Sequence, residues 1–176
     1  MLGIRSKFLK FVVGCDLDEF KSYHRRTVGP LGETEEYWVT KDPSHLIVWK
    51  KNEEIIGHAI WHETNIEEHR KGEPRDKKDR EILKKLLGRK KDFVELHEVW
   101  LDKKHRGKGY GKKFFEFFEK FITNRGHDSI VYYAYHPAAI TICRKRGYKE
   151  AYGLQEKGIE GELQIMYVFY LSLKRT

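Results

Sequence analysis

The sequence predicts a single α/β domain with a mixed, twisted sheet. Runs rich in β-branched and aromatic residues alternate with segments that have helical periodicity. A length of 176 residues suits one domain, and a composition of 39% hydrophobic residues is enough to form a packed core. We therefore assign residues 1–176 to one domain, with a charged insertion at about 64–92.

The first predicted elements are a strand and a short helix. Apolar and β-branched residues over 6–13 favour a strand. Asp16, with Glu19 three positions later, is typical of a helix start. The apolar face of this helix consists of Phe20, Tyr23 and His24. Gly29 and Pro30 end the helix, and we expect a polar loop through about Glu36.

A hairpin and a charged segment are predicted next. Two β-rich runs, 46–49 and 54–61, flank a polar turn at 51–53. Residues 64–92 then mix acidic and basic side chains densely. Within them, 75–87 carry an apolar stripe at helical spacing, formed by Ile82, Leu83, Leu86 and Leu87. We expect a charged surface helix that ends at Gly88 and is either a solvated face or a lid over the substrate.

The second half has clearer signals. It predicts strands at 93–101, 129–135 and 163–173, with helices at 112–123 and 138–146. One face of the first of these helices carries Phe114, Phe117, Phe118 and Phe121. The helices end at Gly126 and Gly147. We expect the C-terminal strands to be antiparallel.

The charge balance limits the partners. Lys and Arg total 35 against 27 Asp and Glu, a net charge of +8, which favours a polyanion such as nucleic acid, an anionic membrane surface or a phosphorylated small molecule. Nucleic acid is disfavoured because the basic residues are interleaved with acidic ones and no binding motif is present. No apolar run approaches the ~20 residues that span a bilayer. We expect no membrane association.

The two cysteines, Cys15 and Cys143, lie far apart in the sequence. They do not suggest a disulfide framework, and no paired Cys or His spacing resembles a zinc site. We therefore expect a cytoplasmic protein without a bound metal.

The strongest chemical signal is a glycine-rich segment after the strand at 93–101. It reads Arg106-Gly107-Lys108-Gly109-Tyr110-Gly111-Lys112 and leads into a helix. Glycines at alternate positions allow a tight turn, and the first amides of the helix together with basic side chains suit a phosphate or pyrophosphate. The spacing fits neither a Walker P-loop nor the dinucleotide-binding fingerprint.

This segment resembles the GNAT superfamily of N-acetyltransferases. Arg106, Gly109 and Gly111 match its R/Q-x-x-G-x-G/A signature, and Leu101 stands at the aliphatic strand position five residues earlier. Residues 136–148 resemble the family's second motif, N-x-x-A-x-x-L-Y-x-K-x-G-F, except that His136 replaces Asn and Cys143 replaces Tyr. By motif the similarity covers about 93–148, and by element order it covers the whole chain.

The resemblance implies a mixed, mostly antiparallel sheet, with helices on both of its faces, that is splayed at an acetyl-CoA site. The loop from Arg106 to Lys112 would hold the CoA pyrophosphate, and backbone groups near Val99 and Leu101 would bind pantetheine. An amide at Val99 or Trp100 would face the thioester carbonyl and stabilise its developing negative charge. His136 would either hydrogen-bond pantetheine or begin its helix.

The resemblance also assigns catalytic roles. Glu95, in the setting Phe93-Val94-Glu95-Leu96, matches the glutamate base of the histone-acetyltransferase branch, and Glu98 and then His97 are the alternatives. A carboxylate at this position could instead pair with a basic neighbour. Cys143 would protonate the leaving thiolate in place of the family's Tyr, or would be a small buried apolar residue.

The implied function is acetyl-CoA-dependent N-acetylation of a primary amine, by direct attack in a ternary complex. The acceptor would be a small molecule or a peptide, and homodimers are common in the superfamily. A non-catalytic CoA-binding or interaction module is the alternative, because the second motif is degenerate.

Overall fold

The computed structural model of the chain describes residues 8–73, 76–157 and 163–173. Residues 6 and 7 of the predicted first strand, and Arg75 of the helix predicted at 75–87, lie outside them. The described helices are α1 (Leu17–Thr27), α2 (Glu33–Lys41), α3 (Asp76–Leu87), α4 (Tyr110–Asn124) and α5 (Pro137–Lys145). The described strands are β1 (Leu9–Val13), β2 (Leu46–Lys51), β3 (Glu54–Asn65), β4 (Asp92–Leu101), β5 (Ser129–Ala134), β6 (Lys149–Lys157) and β7 (Leu163–Ser172).

The seven strands form one sheet in the order β1-β2-β3-β4-β5-β7-β6. The β4–β5 pair is parallel, whereas β1–β2, β2–β3, β5–β7 and β6–β7 are antiparallel. The predicted mixed, mostly antiparallel sheet is therefore confirmed. None of the helices in the described part of the chain is both long and apolar enough to cross a membrane.

The chain divides into two compact units. Unit 1 contains the described residues up to His62 together with 97–117, and unit 2 contains 63–96 together with the described residues from Phe118 onward. The core of unit 1 includes the buried residues Phe20, Tyr23, Val39, Leu46, Val48 and Ile60. The core of unit 2 includes the buried residues Ile66, Leu83, Leu87, Phe93, Val131, Tyr133, Met166, Val168 and Tyr170.

Helix α1 begins as the sequence predicts. The Asp16 carboxylate accepts a hydrogen bond from the Glu19 amide at 2.8 Å, which satisfies one of the unpaired donors of the first turn. The predicted apolar face is buried, with Phe20 fully covered. The polar loop that we expected through about Glu36 is wrong, because α2 begins at Glu33.

Helix α2 lacks the apolar periodicity that would have predicted it, since Val39 is its one buried residue. Its first turn carries Glu33, Glu35 and Glu36. Acidic side chains at this position favour a helix because they face the positive end of its dipole.

Helix α3 has a core face as well as a solvated one. Leu83 is fully buried and Leu87 is 6% exposed, and both belong to the core of unit 2. The prediction of a charged outer face is therefore correct. The apolar stripe of the same helix packs in the core of unit 2.

Two details of the second half differ from the prediction. The buried face of α4 contains Phe114, Phe115, Phe118 and Ile122, so the predicted Phe117 and Phe121 lie at its margin. Strand β6 was not predicted, because its run of Lys, Glu and Gly residues lacks a clear β pattern. A register shift between Ala151 and Leu154 also interrupts its pairing with β7.

Gly57 allows two parts of unit 1 to lie very close together. A Cβ atom at this position would lie 2.7 Å from the Trp100 carbonyl oxygen and 3.1 Å from the Trp49 ring. The first of these neighbours is backbone, which yields less readily than the end of a flexible side chain. Only glycine therefore fits here without a shift of the end of β4.

We expect Gly57→Ala to lower the free energy of unfolding by about 1–3 kcal/mol, because the methyl group overpacks the contact with Trp100. Urea unfolding followed by Trp fluorescence measures this change. Lys112→Ala, at an exposed helix position, is the control. An unchanged unfolding midpoint for Gly57→Ala would contradict the close packing.

Candidate active site

The glycine-rich segment forms a turn between β4 and α4, as the sequence predicts. Strand β4 ends at Leu101, a short 3-10 turn covers Lys103–His105, and α4 begins at Tyr110. Gly107 and Gly109 have φ angles of +73° and +76°, a region that glycine enters at low cost. A Cβ atom added at Gly109 would meet no heavy atom within 4 Å, so there is open space above this part of the loop.

Arg106 connects the loop to the end of β4. Its Nε donates to the Leu101 carbonyl oxygen at 2.8 Å, and its guanidinium lies 5.0 Å from the centroid of the Trp100 ring. Two contacts thus fix the cation at the strand end. The arginine of the sequence signature therefore has a structural role in addition to its charge.

The surroundings of the loop are electropositive. Exposed lysine side chains are present at Lys103, Lys104, Lys108, Lys112 and Lys113. Lys51 donates to the Tyr110 hydroxyl at 3.1 Å, which lowers the pKa of that phenol. The first amides of α4 have no acceptors within their own helix, and they carry the positive end of its dipole. Backbone and side chains together suit a phosphorylated ligand.

Val99, Trp100 and Leu101 are partly buried residues at the end of β4. In the described residues, the register of β4 with β5 runs from Val94↔Ile130 to Leu96↔Tyr132. The three predicted backbone-binding positions therefore come after the last registered pair.

Glu95 belongs to a buried chain of polar groups in unit 2. The side chain of Glu95 is 5% exposed, and its Oε2 lies 3.1 Å from His69 Nδ1. His69 Nε2 lies 2.9 Å from the Tyr133 hydroxyl. Burial raises the pKa of Tyr133 well above its usual range, so the phenol keeps its proton. A neutral His69 satisfies both contacts when it donates from Nδ1 to Glu95 and accepts from Tyr133.

Arg70 and Asp79 extend this chain. Arg70 Nε lies 3.1 Å from Asp79 Oδ2, and the guanidinium lies 4.9 Å from the centroid of the Tyr133 ring. Burial alone would lower the pKa of Arg70, but the neighbouring negative charges, led by Glu95, outweigh burial and raise it. The charged segment at 64–92 thus supplies His69 and Arg70 as neighbours of Glu95. We expected this segment to be a solvated face or a lid, and neither expectation includes such a role.

The two alternative bases have different surroundings in unit 1. Glu98 Oε1 is hydrogen-bonded to His58 Nε2 and lies 3.2 Å from His24 Nε2. Burial alone would raise the pKa of Glu98, but the two imidazoles outweigh burial and hold it well below its usual range. His97 Nε2 lies 2.7 Å from Glu35 Oε1, and this hydrogen bond lowers the pKa of Glu35.

The substituted positions of the second motif lie on and beside α5. Cys143 is fully buried, and burial raises the pKa of its thiol to about 12. His136 is the N-cap of α5, and its Nδ1 accepts from the Ala138 amide at 3.3 Å. The helix-start role of His136 is therefore present, and the acid role of Cys143 stays a prediction.

A cavity of about 690 Å³ lies in unit 2, among residues 63–65, 90–94 and 126–129. None of the predicted site residues lines it. Its polar lining includes Glu63 and His127, whose Oε1 and Nε2 atoms lie 3.4 Å apart.

The model of the Acetyltransferase (GNAT) family matches residues 14–148. The chain belongs to the GNAT acetyltransferase family. Its sequence matches none of the curated proteins. The predicted resemblance is thus confirmed over most of the chain, including the glycine-rich loop.

Solved GNAT structures share the fold. The polyamine N-acetyltransferase of Drosophila melanogaster superimposes with a TM-score of 0.71 at 12% identity, over 94% of this chain and 100% of that one. Arylalkylamine N-acetyltransferase 2 from Aedes aegypti gives 0.66 at 17% identity, over 94% and 99%. The ribosomal-protein-S18-alanine N-acetyltransferase from Escherichia coli gives 0.64 at 13% identity, over 96% of each chain. At these identities the likeness concerns the fold.

Proposed function

We propose that this GNAT protein transfers an acetyl group from acetyl-CoA to a primary amine by direct attack within a ternary complex. The observation that carries the proposal is the loop between β4 and α4. It combines two glycines of positive φ, the start of a 15-residue helix and exposed lysines. Helix N-termini of this kind bind phosphate groups.

The loop residues suit the diphosphate of CoA. The space beside Gly109 is open, and Gly107 to Lys112 bring backbone amides to it without large side chains at the glycine positions. Lys108 and Lys112 add positive charge at the rim. Beyond the loop, an amide of Val99 or Trp100 would donate to the thioester oxygen, where negative charge develops during transfer.

Glu95 is the proposed base. An amine acceptor with a reference pKa of ~10.4 must lose a proton before or during attack. The carboxylate of Glu95 would take that proton, directly or through water, while the N–C bond forms and the C–S bond of the thioester breaks. The thiolate of CoA leaves and is protonated by solvent, because burial raises the pKa of the Cys143 thiol to about 12 and makes it a weaker acid than an ordinary thiol. The contact with His69 Nδ1, 3.1 Å from Glu95 Oε2, supports this role because it holds the carboxylate in place.

The acceptor class follows from the family and not from any one side chain. The structural neighbours include a polyamine acetyltransferase, an arylalkylamine acetyltransferase and a ribosomal-protein alanine acetyltransferase. Their common acceptor group is an amine. We propose a small-molecule or peptide amine for this chain as well.

Gly109→Glu should weaken acetyl-CoA binding by more than about 100-fold, equivalent to ~2.7 kcal/mol, because it places a negative side chain in the phosphate cradle. Isothermal titration calorimetry with acetyl-CoA measures the loss. Gly88→Glu is the matched control, since Gly88 also has a positive φ, of +65°, and also faces open space. Equal acetyl-CoA affinity in the two variants would contradict the proposal that this loop binds CoA.

Glu95→Gln should lower kcat by about 100-fold or more at neutral pH and leave acetyl-CoA affinity nearly intact, because the amide cannot accept the proton. Steady-state assays over a panel of amines measure the effect, and Glu81→Gln on the exposed face of α3 is the control. Unchanged turnover would move the role to Glu98 or His97. Acetyl-CoA binding without transfer to any amine would favour the non-catalytic module.

His69→Leu, which has no donor, should move the acidic limb of the kcat profile to higher pH. Glu95 loses the donor that stabilises its ionised form, so its pKa rises, while Arg70, Asp79 and Tyr133 stay in place. A pH–rate profile of the variant and the parent enzyme tests this positioning role. A lower kcat with an unchanged pH dependence would show that His69 contributes only to packing.

A further inference from the structure

Three side chains of unit 1 converge at a second polar cluster, which we call the His24–His58–Glu98 cluster. His24 lies on α1, His58 on β3 and Glu98 on β4. Both imidazoles direct Nε2 at the same oxygen, Oε1 of Glu98. One ligand-type atom from each residue lies within 4.8 Å of the other two.

The cluster is buried except at the carboxylate. The side chains of His24 and His58 are 4% and 0% exposed, whereas that of Glu98 is 27% exposed. The rings of Phe20 and Tyr23 lie 5.1 Å and 5.9 Å from the His58 ring, in edge-on contact. The imidazoles therefore have aromatic surroundings, and solvent reaches the cluster at Glu98.

The hydrogen bond at the far side of His24 determines where its proton lies. Nδ1 is 2.7 Å from the Gly29 carbonyl oxygen, which can only accept, so Nδ1 carries a hydrogen. A neutral His24 then presents the Nε2 lone pair to a carboxylate oxygen. A positive centre must lie between them, and it is either a proton or a metal ion. Metal-binding imidazoles are commonly held by such a bond from the second ring nitrogen.

The charges of the cluster also favour a cation. Among the described residues, no Lys or Arg pairs with Glu98, which has only the two imidazoles as partners. In the same part of the chain, His58 Nδ1 has no hydrogen-bond partner although it is buried. His58 therefore meets Glu98 through Nε2 alone, and this nitrogen lies within reach of a cation shared with His24 and the carboxylate.

We propose that His24, His58 and Glu98 bind one divalent transition-metal ion of the Zn²⁺ type. Two imidazole nitrogens and one carboxylate oxygen are a known ligand set for Zn²⁺, and three protein ligands leave a position for water. His24 coordinates through Nε2 while Nδ1 stays on Gly29, and the proton of His58 moves to Nδ1 as Nε2 coordinates. The ion joins α1 to β3 and β4 within unit 1, so it stabilises the folded state by binding it selectively. This inference does not depend on acetyl transfer.

The test uses the full-length chain without an affinity tag, stripped with a chelator and dialysed. Calorimetric titration with Zn²⁺ should give one site per chain with a Kd of about 1 µM or below. The thermal midpoint should rise with Zn²⁺ and fall again after chelation. Co²⁺ in place of Zn²⁺ should give the visible absorption of a four- or five-coordinate ion with nitrogen and oxygen ligands. This spectrum tests the ligand set in the parent protein, without any substitution.

Glu98→Gln and His24→Gln should each weaken Zn²⁺ binding by more than about 100-fold, because removing a ligand costs more than removing a second-shell partner. His127→Gln is the matched control, since His127 also faces one carboxylate, that of Glu63. The proposal is overturned if stripped parent protein shows no stoichiometric site, or if Glu98→Gln binds Zn²⁺ as the control does. Acetyl-CoA binding, measured on the same samples, reports separately on the proposed function.

Discussion

The position of the end of β4 is the constraint on which the candidate site depends. Gly57 admits the Trp100 carbonyl at a distance that any side chain would prevent. The Asp102 amide donates to the Ile56 carbonyl at 2.9 Å, and Arg106 bonds to the Leu101 carbonyl. The glycine-rich turn therefore starts from a fixed strand end. A loop that binds phosphate through its backbone needs such a fixed origin, because its amides cannot be reoriented one at a time.

Much of the fold and of the glycine-rich loop was predictable from the sequence, for physical reasons that differ between elements. The capping pair at Asp16 and the alternate glycines at Gly107 and Gly109 are local signals, and local signals survive folding unchanged. Helix α2 was missed because it buries little and depends on its acidic first turn. The direction of the Arg106 side chain was not predictable, since a motif specifies a residue type and not the acceptor that its side chain finds.

The partners of the carboxylates were the least predictable part of the site. Glu98 is 74 residues from His24 and 40 from His58, so no short spacing of the kind that marks a zinc finger relates them. The same holds for Glu95 and Tyr133, which His69 connects from within a segment whose charges resemble a solvated surface. Periodicity predicts which face of an element is buried. It does not predict which polar groups share that burial.

The two carboxylates of β4 show how similar residues acquire different chemistry. Glu95 faces His69, and that imidazole also contacts the Tyr133 hydroxyl. Glu98 has two imidazoles on a single oxygen and no Lys or Arg partner in the described chain, so it favours a cation over a proton. The imidazoles that face each carboxylate, and the groups that those imidazoles contact in turn, distinguish the two. A strand of ten residues can therefore carry a candidate base and a candidate metal ligand three positions apart.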